Sequence, residues 1–93
     1  MSETRADRLK RLKMRSWRRG TKEMDLILGN WADARLGRLD EARLDLYDSL
    51  LSESDTYLYQ WVTGAAAAPG RFAALIGEIA AEARRLKDDP LPP

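Results

Sequence analysis

Apolar residues recur along this chain at the three- and four-residue spacing of a helix face, and nowhere with the strict alternation of a half-buried strand. Leu9, Leu12 and Ser16 share one stripe with Trp17 at its rim, and basic residues fill the remaining faces. Gly20 is the expected end of that first helix, because glycine adopts the left-handed conformation a C-cap requires. Met24, Ile27, Leu28 and Trp31 stand at i, i+3, i+4 and i+7, which predicts a second helix from Thr21 to Leu36, stopped by Gly37. A third runs from Asp40, its expected N-cap, to Leu51, with Leu44, Tyr47 and Leu51 inward. Ser52-Glu53-Ser54-Asp55 resembles a capping box with Asp at its fourth position. It opens a short fourth helix holding Tyr57, Leu58, Trp61 and Val62, closed by Gly64.

Ala65 to Ala68 favour helix by propensity, but Gly64 before them and Pro69-Gly70 after them make the run a connector. The fifth helix, Gly70 to Lys87, places Phe72, Leu75, Ile76, Ile79, Ala83 and Leu86 on one face. Asp88-Asp89-Pro90-Leu91-Pro92-Pro93 cannot continue it and is expected to be a disordered tail. The expectation is an all-α fold, a compact single-domain bundle of five short helices, folded over residues 5–87.

Length and composition narrow the function. The 93 residues leave room for one small domain, with no separate catalytic and substrate domains. Cys and His are both absent. That excludes a disulfide scaffold, a thiolate zinc site, a cysteine nucleophile and serine–histidine chemistry. No glycine-rich phosphate loop is present, and the six glycines stand singly, as helix ends do. The pairs Glu78/Glu82 and Asp45/Asp48 are expected on exposed faces at ordinary helical spacing, so no metal site is assigned. No run approaches the ~18 apolar residues that a membrane span needs, so no membrane insertion is expected. These features point to an intracellular binding module rather than an enzyme.

The overall charge of +1 conceals an asymmetry: residues 1–20 carry a net +6 and residues 21–93 a net −5. A basic arm on an acidic body is either a solvated helix face or a surface for nucleic acid, anionic membrane or acidic protein. Its Arg-rich start has the look of a mitochondrial presequence, but Glu3 and Asp7 interrupt it, so a folded helix is expected rather than a cleaved transit peptide. Trp17 and Tyr59 fall at the edges of their apolar faces, where aromatics beside arginines make a protein-binding patch.

The junction Arg18-Arg19-Gly20-Thr21-Lys22-Glu23 packs three cations, a glycine and a carboxylate into one turn. Read plainly, it is a C-cap followed by an acidic first turn. Arg19 and Glu23 can also lie side by side at the surface, with the arginine presenting its planar fork to a partner.

Arg18-Arg19-Gly20-x-x-Glu23-x-Asp25 resembles the R-G-x-x-E signature of the SdhE-type family, the small FAD assembly factors of succinate dehydrogenase. Ser54-Asp55-Thr56-Tyr57-Leu58-Tyr59-Gln60-Trp61 resembles that family's second segment, and the likeness covers residues 5–86. Tyr57 stands where an acidic residue is common, and the Ala65–Ala68 connector is blander than usual. The resemblance implies a chaperone that binds the flavoprotein subunit of succinate dehydrogenase, or of the related fumarate reductase, and promotes covalent attachment of FAD to a histidine of that subunit. It implies that Arg19, Gly20 and Glu23 form the functional turn, with Arg18, Trp17, Asp25, Asp55 and Tyr59 completing the partner-binding set. It implies no stably bound cofactor on this chain, which acts instead on FAD attachment in the partner. A bacterial cytoplasm is the expected location, ahead of the mitochondrial matrix. Two other readings compete: a generic helical interaction module with no link to flavin, and a nucleic-acid binder, which leaves Glu23 and the acidic body unexplained.

Overall fold

Four helix starts are built the same way. The side-chain oxygens of Thr4, Thr21, Asp40 and Ser54 accept the backbone N–H of Asp7, Met24, Arg43 and Tyr57, three residues on, at 3.1, 3.3, 2.9 and 3.4 Å. Each thereby satisfies a donor that the first helical turn leaves unpaired. The computed structural model describes residues 3–88 and runs α1 (Arg5–Trp17), α2 (Lys22–Arg35), a 3₁₀ turn (Leu36–Arg38), α3 (Glu41–Leu51), α4 (Asp55–Thr63) and α5 (Gly70–Asp88). The described residues contain no strand. The all-α, five-helix expectation therefore stands. The predicted tail lies outside the described residues except Asp88, which is the last residue of α5.

Local corrections follow from where the caps fall. α1 stops at Trp17 rather than at Gly20; Gly20 sits in the following loop at φ +105°. Ser54, not Ser52, caps α4, because Ser52 still belongs to the end of α3, where its N–H donates to the Ser49 carbonyl. Gly64 does close α4 in the left-handed conformation, at φ +83°. Not every glycine marks a helix end: Gly29 and Gly77 lie inside α2 and α5.

One core joins all five helices. Leu12, Met24, Leu28, Trp31, Leu44, Tyr47, Leu58, Phe72, Leu75 and Ile79 are buried together, and Leu50 joins them although the stripe reading passed it over. Trp31 and Tyr47 meet as a tilted ring pair with centroids 4.9 Å apart. The buried Tyr47 hydroxyl shares a 2.6 Å hydrogen bond with Ser16, whose Oγ also donates to the Leu12 carbonyl, so the polar atoms of this interior are satisfied. Leu86, expected on the apolar face of α5, is 40% exposed. No described helix is long and apolar enough to cross a membrane.

Candidate functional site

The basic character of α1 divides by face. Arg5, Arg8, Arg11 and Arg15 point toward α3. Arg8 reaches Asp45 at 2.6 Å and Glu41 at 3.2 Å, and Arg15 reaches Asp48 at 2.6 Å. Arg5 pairs with Glu41 at 2.8 Å and Arg11 with Glu3 at 2.9 Å, while Asp48 also lies within 3.7 Å of Arg8 and 3.4 Å of Arg11. Burial alone would raise the Asp48 carboxyl, but the hydrogen bonds from Arg15 and Arg11 outweigh it and hold the group below the usual carboxylate range. Half of the basic arm is thus an internal strap between α1 and α3. Asp48 is accordingly not on an open face. Nor is Glu82, 6% exposed, which Arg85 holds at 2.8 Å and Arg35 approaches at 3.6 Å.

Arg19 changes the picture of the turn most. Its side chain is only 12% exposed. Nε donates to Asp55 Oδ1 at 2.8 Å, Nη1 to the Leu51 carbonyl at 2.6 Å, and Nη2 to the Glu53 carbonyl at 2.7 Å. Its backbone N–H donates to Asp25 Oδ1 at 2.5 Å. The fork expected to face a partner is therefore engaged within the chain, and Arg19 does not pair with Glu23. The reason is geometric. The loop between α3 and α4 turns its carbonyls toward the α1–α2 turn, and a guanidinium is the one side chain whose fixed donors can satisfy two of them and a carboxylate at once.

With Arg19 as the clamp, the other residues take definite places. Gly20 holds a backbone region that L side chains rarely adopt, although a Cβ there would find room, its nearest neighbour being Asp55 Oδ2 at 4.0 Å. Glu23 is exposed in the first turn of α2. Thr21, Glu23, Asp55, Thr56 and Tyr59 line a depression of about 250 Å³ floored by Met24. Tyr59 is 45% exposed there. Trp17 and Arg18 lie outside it, on the α1 side of Arg19. The eight expected residues thus do gather around one turn, in two groups separated by the Arg19 clamp.

Sequence reasoning missed Gly29. It is buried beneath the Trp17 ring, and a Cβ placed on it would overlap ring atoms. Its signal was available: a glycine inside a helical pattern costs about 1 kcal/mol and calls for a packing reason. Here the reason is the close approach of α1 to α2 that seats Trp17.

A family model described as flavinator of succinate dehydrogenase matches residues 10–83, which contain both the clamped turn and the Asp55–Tyr59 depression. The chain belongs to that family. This flavinator-family chain is 39% identical over 72 residues to a succinate dehydrogenase assembly factor 2 of Mycosarcoma maydis, covering 77% of the chain and 30% of that protein. With the protein of the same name from Meyerozyma guilliermondii it shares 43% over 61 residues, covering 66% of the chain and 45% of the relative. With that of Schizosaccharomyces pombe it shares 39% over 70 residues, covering 75% and 50%. The flavinator-family chain thus spans half or less of the length of these relatives. All three are named as mitochondrial assembly factors, not as enzymes, and come from eukaryotes. That finding overturns the expected bacterial cytoplasmic location.

Proposed function

We propose that this chain is an assembly factor that binds the flavoprotein subunit of succinate dehydrogenase and promotes its covalent flavinylation, with the fumarate reductase flavoprotein as a related client. The observation that carries the reading is the family match across the turn, joined to the geometry that holds Gly20 and Glu23 out from the body on the Arg19 clamp. The mitochondrial relatives support a mitochondrial setting for this work.

The chain's own residues offer no anchor for a covalently held flavin. It has no histidine or cysteine to carry the covalent bond, and the depression beside Glu23 is lined by two carboxylates, which repel a pyrophosphate. The chemistry therefore belongs to the client. This chain acts by binding one client conformation better than another, and shifts the equilibrium by no more than that differential affinity. Preorganisation is what the fold contributes: a turn fixed by four hydrogen bonds loses little freedom on docking.

The test is covalent flavin on the client, read as in-gel fluorescence after denaturation, in cells carrying each variant as the only copy. Glu23→Ala, at an exposed residue whose side chain forms no hydrogen bond or ion pair among the described residues, is expected to fold normally and lose flavinylation. Gly20→Arg is expected to lose it too, with strain of about 1–2 kcal/mol from the positive φ. Wild-type fluorescence from both variants would reject the reading and leave the generic interaction module in its place.

A further inference from the structure

The cations of α1 that do not face α3 form a second pattern. Lys10, Lys13, Met14 and Trp17 stand at i, i+3, i+4 and i+7, which is a single helical stripe, and Arg18 follows directly as the residue that caps α1. Together with Leu9 they line an open groove of about 620 Å³. Met14 is 45% exposed and Trp17 36%. Among the described residues, Lys10, Lys13 and Arg18 form no ion pair, whereas Arg5, Arg8, Arg11 and Arg15 all do. Residue type follows the same division. Every cation in the strap is an arginine, suited to fixed multidentate pairing, while the outer stripe uses two lysines, which remain hydrated and mobile. Trp17 is not a loose aromatic either, because its ring is seated on Gly29.

We propose that this outer stripe of α1 is a docking surface for an acidic amphipathic segment of a protein partner, with Met14 and Trp17 receiving an apolar side chain and Lys10, Lys13 and Arg18 receiving carboxylates. Charge complementarity selects the occupant. Three unpaired cations frame the apolar centre, and a rigid tryptophan beside a methionine and an arginine is the composition of an interface hot spot. An anionic membrane is the poorer match, because the remainder of the chain, residues 21–93, carries a net −5 that such a surface would repel. The stripe runs into the Arg19–Gly20 turn through Arg18, so one partner can lie across both. The inference goes beyond the flavinylation reading and does not require it, since it concerns what the purified chain binds.

The probe is a fluorescein-labelled synthetic peptide of about ten residues built from pairs of glutamate and leucine, followed by anisotropy with the full-length chain, beside a counterpart with lysine for glutamate. The acidic peptide is expected to bind, to weaken with added salt, and to shift the backbone amide resonances of residues 10–18. Lys13→Glu and Met14→Glu are each expected to raise its Kd about tenfold, and Arg38→Glu, which matches the charge change of Lys13→Glu at an exposed residue of the 3₁₀ turn, to leave it unchanged. If circular dichroism shows either stripe variant to be unfolded, Lys10→Glu, at an exposed residue of the same stripe, decides in its place. Absence of acidic-peptide binding at low salt overturns the proposal. So does an equal loss from Arg38→Glu, which would mean attraction by net charge alone. Stronger capture of the chain by phosphatidylglycerol vesicles than by the peptide would assign the stripe to membranes and overturn it as well.

Discussion

Arg19 and Asp55, thirty-six residues apart in sequence, meet through a 2.8 Å hydrogen bond from Nε to Oδ1 that ties the turn after α1 to the first turn of α4. The bond joins the two segments that together carry the family resemblance. An arginine read from sequence as a ligand for something outside the chain is, in the fold, the residue that shapes the site. Arg19→Ala should therefore lower stability by about 2–4 kcal/mol, since it strips three charge-assisted bonds from a largely buried position and orphans two carbonyls. Arg19→Lys should recover only part of this, as an ammonium cannot reproduce the fork. Urea unfolding of both variants and of Asp55→Asn measures it. A cost below about 0.5 kcal/mol for Arg19→Ala would return the residue to the surface role.

Glycine to alanine inside a helix ordinarily adds up to about 1 kcal/mol of stability. At Gly29 it should do the opposite. The new methyl overlaps the Trp17 ring, so α1 must lift from α2 or the ring must leave its seat. The thermal midpoint of Gly29→Ala should fall, and tryptophan emission should move to longer wavelength as Trp17 becomes wetter. Gly77→Ala, where a Cβ meets nothing within 4 Å, should be neutral or stabilising, and serves as the control.

The stability profile with pH should be flat near neutrality and fall at both ends. No histidine titrates between about pH 5 and 8. On the acid side, Glu82 is held below its ordinary value by its hydrogen bond to Arg85, and Asp48 by the hydrogen bonds that outweigh its burial. A group depressed in the folded state stabilises above its unfolded pKa and stops doing so as pH falls through the folded one, so the loss begins near pH 4 and grows below it. On the alkaline side, burial pushes Tyr47 from 10.0 up to about 12. The unfolded chain then releases that proton first, and stability declines from pH 10 toward pH 12. Urea midpoints across this range, repeated with Tyr47→Phe, should show the alkaline decline reduced in the variant. An unchanged slope would remove Tyr47 as its cause.

Ile76 is 4% exposed within the shared core, whereas Arg84, two turns further along α5, is exposed. Ile76→Ala should cost about 2–5 kcal/mol and Arg84→Ala no more than about 0.5 kcal/mol. Equal thermal shifts would mean that α5 is not docked through this face.

By itself the sequence determined what depends on near neighbours. Helix spacing, the cap at Asp40, the close of α4 at Gly64 and the inward faces that carry Trp31, Leu44, Ile76 and Ile79 all follow from patterns within a few turns of chain. The R-G-x-x-E turn was legible in the same way, as a string of residues. Tertiary structure decided which of those residues face inward. Glu82 and Asp48 sit at spacings that look solvent-exposed, yet arginines cover them, and the partners of Asp48 lie 33 and 37 residues away. Arg19 depended on carbonyls 32 and 34 residues off, and Gly29 on the ring of Trp17 from another helix. The physical reason is that burial periodicity constrains apolar side chains, which need only some neighbour. A long charged side chain takes its role from the particular groups within its reach, and those are set by how the helices cross.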